Sequence, residues 1–359
     1  MSQYKYFPVI KTRDAELRCF KNISNDLLDD ILPTYELTKS RKTTKTPDGD
    51  IHRRMKQIGE IQGDKPFILD LCTDDKYINP QIEQLIDEFN GFVDWQYFIN
   101  LYSNLNIIPM VHLYEDSKME FSEVESFVKK MSVLKSHLAV RLPYDLDASD
   151  LSSYLSPIVN NLAENCKLYV LLDADYIRHD AKADVEIVSN LYVESALAVH
   201  ELGDKIEDIV MICTSFPSSP AQEGNGDAEG EFDIYEEVVF REVCKKYPIK
   251  YGDYASINTE QIEIKGGTFV PRIDVAIGDK FIYKRYRRDK GSYPLCAKKM
   301  VADGRYVSLG VWADKEIELA HNDEPTGISP SFWISVRMNY YIATRVKLRS
   351  ELEIVGGAS

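Results

Sequence analysis

Eight short apolar runs rich in β-branched residues recur along the chain, each followed by a polar residue and then a longer amphipathic stretch. The runs are "YKYFPVIK" (4–11), "ILPTYEL" (31–37), "PFILDL" (66–71), "IIPMVHL" (107–113), "HLAVRL" (137–142), "KLYVLLD" (167–173), "DIVMICTS" (208–215) and "IKYGDYAS" (249–256). Such alternation predicts βα units on a parallel sheet, because each strand needs a crossover helix to return the chain for its parallel neighbour. Eight units in about 260 residues match the size of a TIM-like (β/α)8 barrel. An open doubly wound α/β sheet is the alternative, since strand order is not written in the sequence.

Between the runs, Leu85, Phe89 and Phe92 fall on one helical face, as do Val124, Phe127, Val128 and Met131. "DASDLSSYLSPIVNNLAENC" opens on capping residues, and "ADVEIVSNLYVESALAVHEL" reads as a long amphipathic helix. Two connections are longer than such units need: the basic, Thr-rich 38–50 and the acidic, Gly-rich 217–233. Each leaves the carboxyl end of a strand, where a lid and a surface insertion are both reasonable.

After the eighth run the pattern changes. "TFVPRIDVAIGDKFIYKRYRRDK" reads as a β-hairpin turning at Gly278 and Asp279, and "SPSFWISVRMNYYIATRVKLRSELE" reads as a long helix opened by Ser-Pro. We expect residues 1–264 to form the barrel, and 265–359 a hairpin and helix elaboration packed on it that includes the last helix. The hairpin's "YKRYRRDK" carries Lys284, Arg285, Arg287 and Arg288, charge on both faces of a strand, so this end is expected to project beyond the core.

The chain of 359 residues has a formal net charge of −15, which opposes whole-surface binding to nucleic acid and leaves only a local patch for that role, the basic hairpin with the basic 38–50 connection. No apolar run is long enough for a membrane span, and the first residues lack a secretion-signal pattern. Six cysteines stand singly without zinc-ligand spacing, the usage of reduced thiols in a cytoplasmic protein.

In a barrel of this kind the residues at the carboxyl ends of the strands point into the mouth, where chemistry is built. Those positions hold Lys11, Glu36, Asp70, His112, Arg141, Asp173 with Asp175, Thr214 with Ser215, and Asp253 with Tyr254. A charged residue ending a strand is unremarkable singly; carboxylates alternating with Lys11 and Arg141 around one rim imply a paired network in a concave site. Glu36, Asp70, Asp173 and Asp253 are candidates for acid–base work. Lys11, Arg141, His112, Asp175, Ser215 and Tyr254 are candidates for holding a ligand. The carboxylates Glu36, Asp70, Asp173 and Asp175 also suit a divalent cation, and the two cations a phosphate or carboxylate. No spacing assigns a metal site or a cofactor: GxGxxG after a strand, GxxxxGK[ST], HExxH and GxSxG are all missing. "DADYIRHD" (173–180) lacks the glycine and distal glutamate of a calcium loop and reads as a strand end plus a helix cap.

The blocks "PVIKTRDAEL", "ILPTYEL", "FILDL", "VRLP", "LLDADYI", "TSFP", "YGDYASI" with "PRIDV", and the aromatic-rich "SFWISVRMNYYIATRV" occur in an order that resembles the "beta" protein family, named for a protein of a satellite phage. The resemblance implies a barrel-like α/β fold found in phages, satellites and bacterial defence islands. It also implies a role beside a toxic partner that is restrained within a module blocking other phages, and no particular reaction. The matching residues are Lys11, Glu16, Glu36, Asp70, Arg141, Asp173, Ser215, Gly252, Asp253 and Tyr254. "NYYIA" at 339–343 stands where the family carries histidines, so no role of theirs transfers. The leading reading is therefore an anti-phage protein acting by binding, on a toxic effector or a phage protein. A barrel enzyme acting on a phosphorylated small molecule or nucleotide, and a nucleic-acid partner at the hairpin, are the alternatives.

Overall fold

A computed structural model describes residues 2–114, 120–260 and 269–356; the expected boundary at 264 lies outside them. The strands are β1 (Phe7–Lys11), β2 (Thr34–Leu37), β3 (Phe67–Leu71), β4 (Ile107–Pro109), β5 (His137–Pro143), β6 (Lys167–Tyr176), β7 (Ile206–Thr214), β8 (Glu229–Asp233), β9 (Lys250–Asp253), β10 (Arg272–Ile277) and β11 (Lys280–Arg285). The helices are α1 (Asp14–Lys21), α2 (Asn25–Asp29), α3 (Ile51–Gln62), α4 (Pro80–Ile86), α5 (Phe89–Leu101), α6 (Ser122–Leu134), α7 (Ala148–Val159), α8 (Arg178–Ala183), α9 (Val185–His200), α10 (Pro220–Glu223), α11 (Tyr235–Cys244), α12 (Ser292–Val301), α13 (Trp312–His321) and α14 (Pro330–Gly356).

The sheet order β4-β3-β2-β1-β9-β7-β6-β5 places eight parallel strands in one ring. Its ends meet through a parallel bridge between Met110 and Ala139, with the Val111 N–H donating to the Ala139 carbonyl at 2.7 Å. This is the TIM-like barrel, and the open-sheet alternative falls because β4 and β5 join. All eight expected runs supply its strands.

Period-two alternation sorts the side chains. Phe7, Val9, Ile68, Ile108, Met110, Ala139, Tyr169, Leu171, Val210 and Ile212 pack inside the ring, while residues of opposite parity face the helices. Gly252 belongs to the inner set: a Cβ there would stand 2.3 Å from Ile212 Cδ1 and 2.4 Å from the Phe7 carbonyl oxygen, so only glycine lets β9 close against β1 and β7. The shell helices are started by caps, with Asp147 accepting from the Asp150 N–H (2.8 Å) and Asp184 from Glu186 (2.9 Å).

The expectation that Leu85, Phe89 and Phe92 share a helical face fails. Asn90, Gly91 and Phe92 are left-handed (φ 53°, 70° and 55°), which breaks the periodicity; Phe92 is buried and Phe89 is 73% exposed.

The hairpin forms as expected, with Gly278 (φ 57°) at its turn. It is not a free projection: β11 is the middle strand of β10-β11-β8, and the third strand comes from the 217–233 connection. That connection therefore holds α10 and β8 and is built into the fold. The sequence hides β8 because "EGEFD" is acidic and Gly-bearing, and its strand is fixed by pairing rather than by propensity.

Helix α14 sits between α1 and α11, the place of an eighth barrel helix. Arg18 of α1 donates to Ser335 (3.2 Å), and Arg345 of α14 pairs with Glu237 of α11 (2.8 Å). Met338, Ile342 and Val346 join the barrel shell, while Trp333, Val336 and Tyr340 join the second core beneath the small sheet. Among the described residues no helix is long and apolar enough to cross a membrane.

Candidate functional site

The inner parity that fills the barrel with Val9, Ile68 and Leu171 continues, at the carboxyl ends of the same strands, into Lys11, Asp70 and Asp173. Lys11, Glu36 and Asp70 lie in register on three adjacent strands. Arg141 enters from β5 across the ring. Its Nη2 donates to Glu36 Oε1 at 2.8 Å and lies 3.5 Å from Asp70 Oδ2, while Nε lies 3.6 Å from Asp173 Oδ2. The Tyr254 hydroxyl donates to Asp173 Oδ2 at 2.5 Å, and Lys11 Nζ stands 3.9 Å from Glu36 and 3.7 Å from Asp74. Lys11, Glu36, Asp70, Arg141, Asp173 and Tyr254 thus converge as a single network, with His112 Nδ1 3.8 Å from Asp70 Oδ1 at its edge.

Three carboxylates around one guanidinium leave negative charge in excess. Burial raises Asp70, Arg141 opposes and Glu36 adds to the rise, leaving it at about 6. Asp173 is also raised, by burial, against the pull of Arg141. Burial and the neighbouring guanidinium push His112 down to about 3, so it is a neutral imidazole at pH 7. Among the described residues Arg141 Nη1 and His112 Nε2 are buried without a hydrogen-bond partner. The mouth accordingly offers a carboxyl that exchanges a proton near neutrality, a neutral imidazole and one spare guanidinium donor. Among the described residues no group of three or more His, Cys, Asp or Glu side chains is arranged to hold a metal ion.

The remaining predicted residues lie elsewhere. Asp175 is exposed just beyond the network, its N–H donating to Asp173 Oδ1 at 2.8 Å. Asp253 and Ser215 are behind the barrel wall. Asp253 accepts from the hydroxyls of Tyr251 (2.7 Å), Tyr341 (2.6 Å) and Tyr6 and from the Ala255 N–H (2.7 Å). Ser215 donates to Glu236, whose other oxygen lies 3.1 Å from the Tyr341 hydroxyl. Parity was the missed signal: Gly252 and Tyr254 point inward, so Asp253 points out. Glu16, from the family blocks, is buried against Arg13 (2.6 Å).

The basic hairpin is largely spent within the chain. Lys284 is buried between Glu229 (2.6 Å) and Asp303 (3.0 Å), and Arg285 pairs with Asp227. The partners of the basic strand therefore include the acidic 217–233 segment; only Arg287 and Arg288 of the four are exposed.

Burial, with Asp253 beside it, raises Glu236 from the ordinary glutamate range to about 7. A group whose pKa is higher in the folded state stabilises fully below its unfolded pKa, and that contribution is lost as pH rises through the folded value. From about pH 4.5 to about 7, Glu236 therefore withdraws roughly 3 kcal/mol. Relative to wild type, Glu236→Gln is expected to gain stability by that order between pH 5 and pH 8, measured by chemical denaturation; a pH-independent difference would contradict the buried proton.

The chain matches the model of the Beta protein family over residues 6–347. It is 27% identical over 358 residues to Protein beta of Enterobacteria phage P4, covering 98% of this chain and 95% of that protein. No solved structure matches the chain. The match spans every barrel strand, the mouth network and most of α14, and on it the chain belongs to the phage-related Beta protein family.

Proposed function

We propose that the protein acts in conflicts involving phages by binding, with the barrel mouth as its recognition site, either restraining a toxic effector or sensing a phage component. The observation that carries this reading is the convergence of Lys11, Glu36, Asp70, Arg141, Asp173 and Tyr254 from separate strands onto one network, with Arg141 Nη1 left unpartnered among the described residues. Strands that merely end in solvent have no need to aim their charges at one another. Excess carboxylate favours a cationic or hydrogen-bond-donating group over a phosphate, because Arg141 is already surrounded by three acids.

A second reading, enzymatic proton transfer, draws on Asp70 at about 6 beside the neutral imidazole of His112. Of the hairpin's four cations, nucleic-acid binding keeps Arg287 and Arg288 in its favour, beside the exposed Arg41, Lys42 and Lys45 of the 38–50 connection.

The test uses Glu36→Gln, Asp70→Asn and Asp173→Asn singly, each checked for a wild-type circular dichroism spectrum. Tagged wild-type protein recovered from infected and uninfected cells is expected to bring down one specific partner or small molecule that the variants lose. Undiminished recovery by all three folded variants overturns the mouth as the site.

A further inference from the structure

We propose that the outer face of α5 docks a basic amphipathic helix of a partner protein. The inference rests on the reading of the chain as a binding protein, but uses a surface separate from the mouth. Phe89, Val93, Tyr97 and Leu101 recur at every fourth position and are 73%, 39%, 69% and 51% exposed. Single exposed apolar residues are ordinary; Val93, Tyr97 and Leu101, at successive fourth positions of the helix beyond the left-handed turn, with Phe89 exposed just before that turn, form the stripe that a partner helix covers. At its carboxyl end the stripe runs toward a hollow of about 700 Å3, lined in part by Ser103, Asn104, Leu105 and the exposed Leu134 of α6.

The backbone holds this stripe in place. The left-handed Asn90, Gly91 and Phe92 separate Phe89 from the buried face that Phe92 occupies, and Gly91 packs so closely on α6 that a Cβ would lie 2.6 Å from Ser126 Oγ. Left-handed conformations at two non-glycine residues are retained where the surroundings enforce them, which makes the outward Phe89 a fixed feature of the fold.

Charge selects the occupant. No lysine or arginine occurs between Lys76 and Lys118, while Glu83, Asp87 and Glu88 are exposed on or beside α4 and α5, and Asp94 is half-buried. Lysines and arginines flanking an apolar helix face complement this surface. The same acidic residues disfavour a second copy presenting this face, or an anionic membrane.

The probes are labelled helical peptides of leucine with lysine, leucine with glutamate, and a scrambled leucine–lysine sequence, titrated into the full chain by fluorescence anisotropy. The leucine–lysine helix is expected to bind best, and Phe89→Ser with Tyr97→Ser to weaken it at least about tenfold, the size of loss expected on removing a buried aromatic anchor. Both positions are exposed, so the melting temperature stays at the wild-type value. Asp70→Asn leaves this affinity unchanged, separating failure of the stripe from failure of the mouth. Equal binding of the three peptides, or equal binding by the double variant, overturns the proposal. So does a dimer in light scattering that Tyr97→Ser dissociates, or sedimentation with phosphatidylglycerol vesicles that the double variant abolishes.

Discussion

Arg141→Met is expected to destabilise the protein by about 3–5 kcal/mol at pH 7.5, because removing one partner of a buried ionic group strands the others. The side chains left behind, Glu36, Asp70 and Asp173, are 8%, 5% and 13% exposed, so water compensates little. Protonation relieves them, and Asp70, already at about 6 with the guanidinium present, goes further up without it. The deficit should therefore shrink at pH 5.5. Arg141→Lys restores a charge but not the fork that reaches three carboxylates, and should recover only part of the loss. Denaturant titrations at the two pH values measure all of this; a wild-type midpoint for Arg141→Met at pH 7.5 contradicts the network.

Glu237→Ala is the second large effect. Glu237 is the shared acid of Arg345 (2.8 Å) and Arg349, whose side chains are 0% and 6% exposed. The guanidiniums also lie over aromatic rings, Arg345 over Tyr341 at 4.8 Å and Arg349 over Tyr251 at 4.2 Å. Those contacts position the two cations without neutralising them. Removing Glu237 leaves two buried cations beside α11, at a cost of about 3–5 kcal/mol or more. The strain falls on α14, which bridges the barrel shell and the core under the small sheet. Limited proteolysis should cut near the end of α14 in the variant under conditions where the wild type resists. Unchanged thermal midpoint and cleavage pattern would show that α14 is held by packing alone.

How much of this was legible follows from parity and pairing. The barrel was readable because eight runs with polar ends cannot all be buried except as strands with covering helices. The mouth residues were readable because they end those runs. Reading each run's last polar residue without its parity, however, placed Asp253 and Ser215 in the mouth, when behind the wall Asp253 accepts from three tyrosine hydroxyls and Ser215 donates to Glu236. Strand β8 and the fate of Lys284 were hidden for a different reason. Both depend on contacts between segments some fifty residues apart, Lys284 with Glu229 and Tyr283 with Gly230, which no local pattern encodes. The α5 stripe was masked by the assumption of one continuous helix, which the left-handed turn at Asn90–Phe92 breaks.

The mouth as the working site is tested most directly by phage plating efficiency on cells expressing wild type, Glu36→Gln, Asp70→Asn or Asp173→Asn at matched protein levels. Wild type is expected to alter plating of at least one phage, and each folded variant to lose that effect. Three folded variants that match wild type would place the function away from the mouth.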